Sequence, residues 1–205
     1  MTRARAILEP SIIYAAILAY IWKVRAIDNR LWIPILAWML LSHFLHRETP
    51  ETLGFGRRNL RECAHEFAPA MLFAGLAMVA GAILLHTGRR IALGSAMLAL
   101  LGYLPWGLVQ QYILNGYFLN RLSAAFPRRV AAAVAAALFC GAHVPNPFLM
   151  AVTLAGGYCA ARAYQRYRNL YFLGVAHAAV GFLLYLLVPD SVTHHLRVGP
   201  GWFAR

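Results

Sequence analysis

The residues of this sequence that could do chemistry are polar side chains inside long apolar runs. His143 and His177 carry imidazoles, which gain and lose protons near neutral pH. The others are amides, which donate and accept hydrogen bonds but do not titrate near neutral pH: Gln110, Gln111, Asn115 and Asn146. Polar residues inside a membrane segment are costly, which makes this set a candidate for a functional site based on proton transfer and hydrogen bonding.

Three of these residues are predicted to lie at a similar depth. Measured from the charged end of each helix at about 1.5 Å per residue, Gln110 lies roughly 16 Å in, His143 roughly 21 Å and His177 roughly 14 Å. Three helices would thus present polar groups in one layer, which predicts a polar pocket near the middle of the membrane. The alternative is that these side chains only join helices, since interhelical hydrogen bonds in membranes contribute about 0.6 to 2 kcal/mol each.

The elements that must position these groups are predicted to be transmembrane helices. Of the 205 residues, 61% are hydrophobic and 13% are charged, a composition outside the range of soluble globular domains. Lipid accepts apolar faces directly, provided that the backbone is hydrogen-bonded internally. The formal net charge of +12 comes from short Lys and Arg clusters between the apolar runs, and not from one basic surface. We therefore predict no nucleic-acid partner.

Seven apolar runs predict an all-α fold, a polytopic transmembrane helical bundle of about seven helices. The fourth run exceeds the length of one span, and Pro105 is a position where it could kink or break. Before the third run, a charged connector predicts a short amphipathic helix from about residue 57 to 66. The apolar runs cover approximately residues 8 to 22, 31 to 46, 67 to 87, 91 to 121, 129 to 144, 147 to 165 and 169 to 188.

The distribution of positive charge predicts an orientation. Most of the 19 Lys and Arg residues fall on the side of the N-terminus if the chain crosses the membrane seven times. The positive-inside rule then predicts a cytoplasmic N-terminus, and we expect the protein in a bacterial cytoplasmic membrane. Arginines at the ends of the runs, Arg121 among them, are interpreted as loop anchors.

The stretch FCGAHVPNP, Phe139 to Pro147, resembles the second motif, FxxxH, of the CPBP family of CAAX-processing and bacteriocin-processing intramembrane endopeptidases. AHAAVG, Ala176 to Gly181, is similar to the last motif of that family, a His followed four residues later by Asn or Asp. The connector ETLGFGRRNLRE resembles the amphipathic lead-in of the family. The resemblance implies an N-terminal transmembrane helix pair (residues 1–50), a CPBP-like membrane core (51–188) and a polar C-terminal tail (189–205).

The first motif of the family is EExxxR, and in this sequence its charged positions hold Gln110, Gln111 and Asn115. In the family, the first glutamate and the FxxxH histidine are held to activate a water for attack on the peptide bond, and the last motif helps to stabilise the oxyanion. Carried over to this sequence, Gln110 stands at the catalytic position and both histidines match. Gly181 lacks the amide of the last motif.

The replaced residues of the first motif differ in their consequences. Gln111 and Asn115 keep the spacing of the Glu–Arg ion pair, four residues apart on one helix face, so we expect a hydrogen bond between their side chains. As a neutral pair they avoid leaving one buried charge without its partner. Gln110 is different, because an amide cannot accept a proton as a carboxylate can, and a general base contributes about 10²- to 10⁴-fold in rate.

The resemblance and the chemistry of these residues give one hypothesis for the site. Neutral His143 acts as base toward water, Gln110 orients that water or donates to the oxyanion, and His177 supplies a second donor. Glu66 is the only carboxylate considered as a substitute base. Two imidazoles without a third ligand do not form a zinc site, so neither a metal nor a cofactor is predicted. The residues assigned to substrate contact or structural support are Gln111, Asn115, Phe139 and Asn146.

Two functions stay open on the sequence alone. One is an intramembrane endopeptidase that cleaves a membrane-associated polypeptide, and the expected partners are membrane lipids and a peptide or lipid-anchored protein substrate. The other is a catalytically silent family member that binds a peptide, a lipid or a partner helix in the same pocket, as an immunity or maturation factor. The sequence does not predict an oligomeric state.

Overall fold

The computed structural model describes residues 2–204, and within them it consists of helices joined by short turns, which confirms the predicted all-α fold. Every predicted apolar run is helical. By length and composition, α1, α3, α4 and α7 qualify as membrane spans, and the protein is an integral membrane protein. The helices are α1 Arg3–Trp22, α2 Trp32–Leu45, α3 Leu60–Leu85, α4 Leu93–Leu122, α5 Arg128–Gly141, α6 Pro147–Tyr167, α7 Leu170–Leu187 and the short α8 Asp190–Thr193.

Consecutive long helices run in opposite directions, so the turns collect at two ends of the bundle. One end carries the connectors 46–59, 123–127 and 168–169 together with most of the arginines, and is called the arginine-rich end below. Side-chain caps begin the helices that return from the turns: Asn146 accepts from the backbone N–H of Leu149 at α6, and Asn169 from that of Phe172 at α7. Such caps satisfy donors that the first helical turn leaves unpaired.

The fourth helix is continuous from Leu93 to Leu122, including Pro105, so this proline does not interrupt it. The departure from α-helical geometry lies further on, where Tyr112–Leu119 is π-helical. This segment begins directly after Gln111 and contains Asn115. Short π-helical segments are rare and occur frequently at functional sites.

Two glycines allow α4 and α7 to approach closely beside the predicted polar layer. A Cβ atom at Gly107 would lie 2.6 Å from the carbonyl oxygen of Gly174, and a Cβ atom at Gly174 would lie 2.9 Å from the Cα of Leu108. Neither position accepts a larger residue without separating the helices. The short distance between the two backbones lets side chains of ordinary length on α4 and α7 reach each other.

A buried ion cluster at the arginine-rich end joins α1 and α2 to α4. Arg121 is 2% exposed and donates to both carboxylate oxygens of Glu48, over 2.9 and 2.7 Å, and to Glu9 over 3.2 Å. Ser42 and His43 on α2 complete the cluster around its guanidinium. The interpretation of Arg121 as a loop anchor is therefore wrong, because its side chain turns back into the bundle.

Glu48 lies in the connector outside the membrane segments and is ionised in this cluster. Burial alone raises the pKa of its carboxyl, but hydrogen bonds from His43 and Arg121 and the charge of Arg121 lower the pKa to about 2. The carboxylate therefore stays charged over the physiological pH range. The result is a cluster in which acidic groups balance one deeply buried guanidinium.

The amphipathic helix predicted for residues 57 to 66 is not a separate element, because α3 begins at Leu60 and absorbs most of it. The C-terminal segment folds back onto the bundle at the end opposite the arginine-rich end. There Gly199 donates its backbone N–H to the carbonyl oxygen of Val144 over 2.9 Å, and Asn146 donates to the carbonyl oxygens of Thr193 and Arg197. This segment therefore packs on the turn between α5 and α6.

Candidate active site

A cavity of about 580 Å³ lies between α3, α4, α6 and α7, and we call it the central cavity. Gln110, His143 and His177 all line it, so the structure brings the three candidate catalytic residues to one space. Gln111 and Phe139 line it as well. The rings of both histidines pack against Phe139, with centroid distances of 4.9 Å to His143 and 6.0 Å to His177.

A chain of hydrogen bonds orients the imidazole of His177. The side-chain nitrogen of Asn115 donates to Oε1 of Gln111 over 2.7 Å, which is the bond expected from their spacing. The amide nitrogen of Gln111 lies 3.0 Å from Nδ1 of His177, so Nδ1 is the acceptor. From this network we assign the neutral tautomer of His177 that carries its proton on Nε2. His177 is thus prepared to donate a hydrogen bond from Nε2.

A backbone carbonyl oxygen near the end of α5 fixes His143 in the opposite tautomer. Its Nδ1 lies 2.7 Å from the carbonyl oxygen of Phe139, and because a carbonyl only accepts, Nδ1 carries the proton. The neutral ring therefore has its lone pair on Nε2. Phe139 thus contacts His143 twice: its ring packs against the imidazole, and its backbone carbonyl oxygen accepts from Nδ1.

Gln110 has a buried polar atom without a partner. Its Oε1 accepts no hydrogen bond from any residue between 2 and 204, although the side chain lines the central cavity. An unpaired buried carbonyl oxygen is unfavourable by about 1 to 3 kcal/mol. A water or a peptide N–H bound in the cavity would supply the missing donor.

The position of the absent amide in the last motif is filled by an aromatic ring. Gly181 lines the central cavity, and a Cβ atom there would lie 3.1 Å from Cε1 of Tyr103, which lines the same cavity. An asparagine at Gly181 would require this ring to move. The loss of the amide and the presence of Tyr103 are therefore spatially linked.

Two supporting residues lie outside the cavity lining. Asn146 is fully buried, caps α6 and binds the C-terminal segment, which is a structural task. Asn115 is also fully buried and acts on the cavity only through Gln111. Its own Oδ1 has no hydrogen-bond partner among residues 2–204.

The seven Asp and Glu side chains all lie within residues 2–204, and none of them lines the central cavity. Glu66 lies instead in a neighbouring cavity, where it pairs with Arg166 over 2.6 Å. Within residues 2–204, no group of three or more His, Cys, Asp and Glu side chains is arranged to hold a metal ion. The central cavity is accordingly a neutral site of amides and imidazoles.

Sequence reasoning missed the contribution of the C-terminal segment to the site. Leu196 and Val198 line the central cavity from the end opposite the arginine-rich end. They are the apolar residues at alternate positions within an otherwise polar stretch, and this alternation was the signal that could have identified them. Backbone pairing of Gly199 with Val144 holds them there.

Comparison with known protein families gives a match for the central part of the chain. The family model described as type II CAAX prenyl endopeptidase, Rce1-like, matches residues 92–183. The matched segment runs from the start of α4 into α7 and contains all three candidate catalytic residues, whereas α1 to α3 and the C-terminal segment lie outside it. No curated protein and no solved structure matched this chain significantly.

Proposed function

We propose that the protein is an intramembrane endopeptidase, because residues 92–183 match the family model of Rce1-like type II CAAX prenyl endopeptidases. This match confirms the resemblance that the sequence motifs indicated. Its substrate is a membrane-associated or lipid-anchored polypeptide, and hydrolysis takes place in the central cavity. The observation that carries this proposal is the hydrogen bonding of His143 and His177, which assigns opposite tautomers to two imidazoles that line the same cavity.

His143 is the base in this proposal. Its Nδ1 donates to a backbone carbonyl, so the lone pair on Nε2 is free to take a proton from water. The resulting hydroxide attacks the carbonyl carbon of the scissile bond, and the tetrahedral intermediate carries the negative charge on its oxygen. The proton held on His143 then passes to the nitrogen of the leaving amine as the carbon–nitrogen bond breaks.

His177 stabilises the intermediate. Its Nε2–H is a donor, because Gln111 occupies Nδ1, and a donor already oriented before the reaction contributes more than one that must reorganise. Removal of one such donor in a hydrolase lowers the rate by about 10²- to 10³-fold. Gln111 and Asn115 are positioning residues for this ring, since they act only through it.

Gln110 orients the attacking water in place of a carboxylate base. Its Oε1 is buried without a hydrogen-bond partner among residues 2–204, and a change of side-chain rotamer would turn this oxygen toward a water in the cavity that Gln110 lines. An amide adds no proton acceptor, so the proposal predicts a slow enzyme relative to a variant that carries glutamate here. The expected gain of Gln110→Glu is about 10²-fold or more, within the usual contribution of a general base.

Two observations favour the alternative of a catalytically silent family member. No carboxylate among residues 2–204 lines the central cavity, and the last-motif amide is replaced by Gly181. Such a protein would use the same cavity to bind a peptide, a lipid or a partner helix. The two functions differ in whether the parent protein hydrolyses peptide bonds at all.

Hydrolysis of a quenched fluorescent peptide with a prenylated cysteine near its C-terminus, measured in detergent micelles, separates the two functions. The proteins compared are the parent, His143→Ala, Gln110→Glu and the matched control His65→Ala, which removes an exposed histidine outside both cavities. Cleavage by the parent and by the control, lost in His143→Ala, supports the endopeptidase. Cleavage by Gln110→Glu from a zero parental rate supports the silent member.

A third result contradicts the mechanism. If the parent cleaves the peptide and His143→Ala cleaves it at the same rate, His143 is not the base. Binding of the uncleaved peptide is measured alongside by fluorescence anisotropy, so that a variant that fails to bind is distinguished from one that binds without hydrolysis.

A further inference from the structure

A second cavity, of about 680 Å³, lies at the arginine-rich end, and we call it the basic cavity. It is bounded by the first turns of α3, the start of α5 and the last turns of α6. Its charged lining consists of Arg128, Arg129, Arg162, Arg166 and Glu66. Glu66 neutralises Arg166 alone, so the remaining guanidinium groups leave a strong positive charge around an open volume.

Gln165 holds two of these arginines in place without neutralising them. Its Oε1 accepts from Nη1 of Arg162 over 2.8 Å, and its Nε2 donates to the backbone oxygen of Arg128 over 2.7 Å. The side chain of Arg128 in turn donates to the backbone oxygen of Gln165. Each guanidinium has five N–H donors, so most of them stay available to a bound anion.

Arg129 is the third unneutralised arginine. Its side chain makes no hydrogen bond or ion pair with another residue between 2 and 204, although it lines the basic cavity. Three cations in one cavity repel each other, and this repulsion is relieved when an anion binds among them. Guanidinium groups bind phosphate through paired N–H donors, which makes phosphate the matching anion.

The wall of the basic cavity on the side of the membrane interior is apolar. Phe67 on α3 and Tyr158 and Ala163 on α6 form it, and Tyr158 is 37% exposed. The cavity therefore combines a cationic rim at one end of the bundle with an apolar wall toward the membrane. A phospholipid has this arrangement of groups, with a phosphate above acyl chains. A soluble anion has no apolar part that would contact the apolar wall.

We propose that the basic cavity binds the phosphate headgroup of an anionic phospholipid, with an acyl chain along Phe67 and Tyr158. Basic pockets between transmembrane helices bind anionic headgroups in this manner. This lipid site is distinct from the proposed site of hydrolysis, because none of its arginines lines the central cavity. Phe67, Cys159 and Ala163 line both cavities, so the lipid lies at the border of the central cavity.

The test measures lipid binding by native mass spectrometry of the purified full chain in detergent, titrated with phosphatidylglycerol or with phosphatidylcholine. We expect the parent to bind phosphatidylglycerol at least tenfold more tightly than the zwitterionic lipid. Each removed guanidinium weakens binding about fivefold, so Arg129→Gln loses about fivefold and the double variant Arg129→Gln/Arg162→Gln about 25-fold. The matched control is Arg58→Gln, which removes an exposed arginine at the same end outside the cavity.

The single variant keeps the test decisive if the double variant misfolds, since Arg129 contacts no other described side chain through hydrogen bonds. Inorganic phosphate and glycerol phosphate are added in separate arms as competitors. If either binds as tightly as phosphatidylglycerol, the site recognises free phosphate and the assignment to lipid is wrong. Equal affinity of the parent and Arg129→Gln for phosphatidylglycerol, or an equal loss in Arg58→Gln, also overturns the proposal.

Discussion

Helix α4 contributes to both the central cavity and the cluster around Arg121, and the two regions bury different kinds of polar group. The groups beside the cavity are neutral, whereas those of the cluster are charged. Beside the cavity, Gln111 and Asn115 form a neutral pair at positions that hold Glu and Arg in the motif. In the cluster, Arg121 retains its charge and is surrounded by Glu9 and Glu48. Both regions are buried, and only one of them is ionic.

This difference has a physical explanation in what each region must do. Arg121 joins α4 to α1 and to the connector after α2, and its guanidinium donates to side-chain oxygens of Glu9, Ser42 and Glu48. The cavity has to leave donors and lone pairs free for a ligand, as the unpaired Oε1 of Gln110 does. The comparison predicts that changes in the cluster alter stability most, whereas changes in the cavity alter activity most.

The largest effect is expected from Arg121→Met. The substitution leaves the carboxylates of Glu9 and Glu48 partly buried without their cation, and breaking a buried ion pair in this way lowers stability by about 3 to 5 kcal/mol. The measurement is the free energy of unfolding in detergent micelles. Arg129→Met is the matched control and is expected to change it by less than about 0.5 kcal/mol, because Arg129 is exposed. A small change in the free energy of unfolding in Arg121→Met would show that the cluster does not stabilise the fold.

The Arg121 cluster also shows what the sequence could not supply. The all-α class and the seven runs followed from composition and from the length of the apolar runs, because a long continuous apolar segment in lipid satisfies its backbone hydrogen bonds as a helix. That Arg121 turns inward depends on Glu9 and Glu48, which are distant in the sequence and meet it only in the folded bundle. Long-range pairs of this kind leave no local pattern.

The candidate site was more accessible to sequence reasoning than this cluster. The common depth of Gln110, His143 and His177 followed from helix rise, and all three line one cavity. The bond between Asn115 and Gln111 followed from a spacing of four residues. The tautomers of the histidines did not, because they depend on which atom of a neighbouring helix or carbonyl each ring nitrogen meets.

The second prediction concerns the neutral pair. Asn115→Leu leaves Oε1 of Gln111 without its donor in a buried site, so we expect a loss of about 2 kcal/mol in unfolding free energy. The double variant Gln111→Leu/Asn115→Leu removes both partners of this bond but leaves Nδ1 of His177 without its donor, so it is expected to recover only part of that loss. Asn115→Leu releases the amide of Gln111 that orients His177, and the double variant removes that amide. Hydrolysis of the reporter peptide is therefore expected to fall in both variants. Additive losses in the double variant would show that the two amides do not act as a pair.

The third prediction uses pH to test the ionic cluster. The pKa of Glu48 is lowered from 4.5 to about 2 in the folded chain, so its stabilising contribution is complete above pH 4.5 and is lost as the pH falls toward 2. Arg121 and His43 are the groups that face it. Discounted for the partial exposure of the side chain, the loss is about 1 kcal/mol. The difference in unfolding free energy between pH 6 and pH 3 should be smaller in Glu48→Gln than in the parent. An identical pH dependence would mean that Glu48 is not ionised by the cluster.

The smallest effect on stability is expected from Gln110→Leu, although this substitution should strongly lower hydrolysis. Oε1 of Gln110 already lacks a partner among the described residues, so Gln110→Leu removes an unsatisfied group and is expected to leave the free energy of unfolding within about 0.5 kcal/mol of the parent, or to raise it. The same substitution removes the acceptor that orients water, so any hydrolysis of the reporter peptide should fall by about 10²-fold. Leu104→Ala, which trims an apolar side chain on the same helix outside the cavity, is the control for helix packing and should leave the rate unchanged. A loss of 2 kcal/mol in Gln110→Leu would mean that this amide holds the bundle together, and the contrast between a structural cluster and a functional cavity would then fail at its central residue.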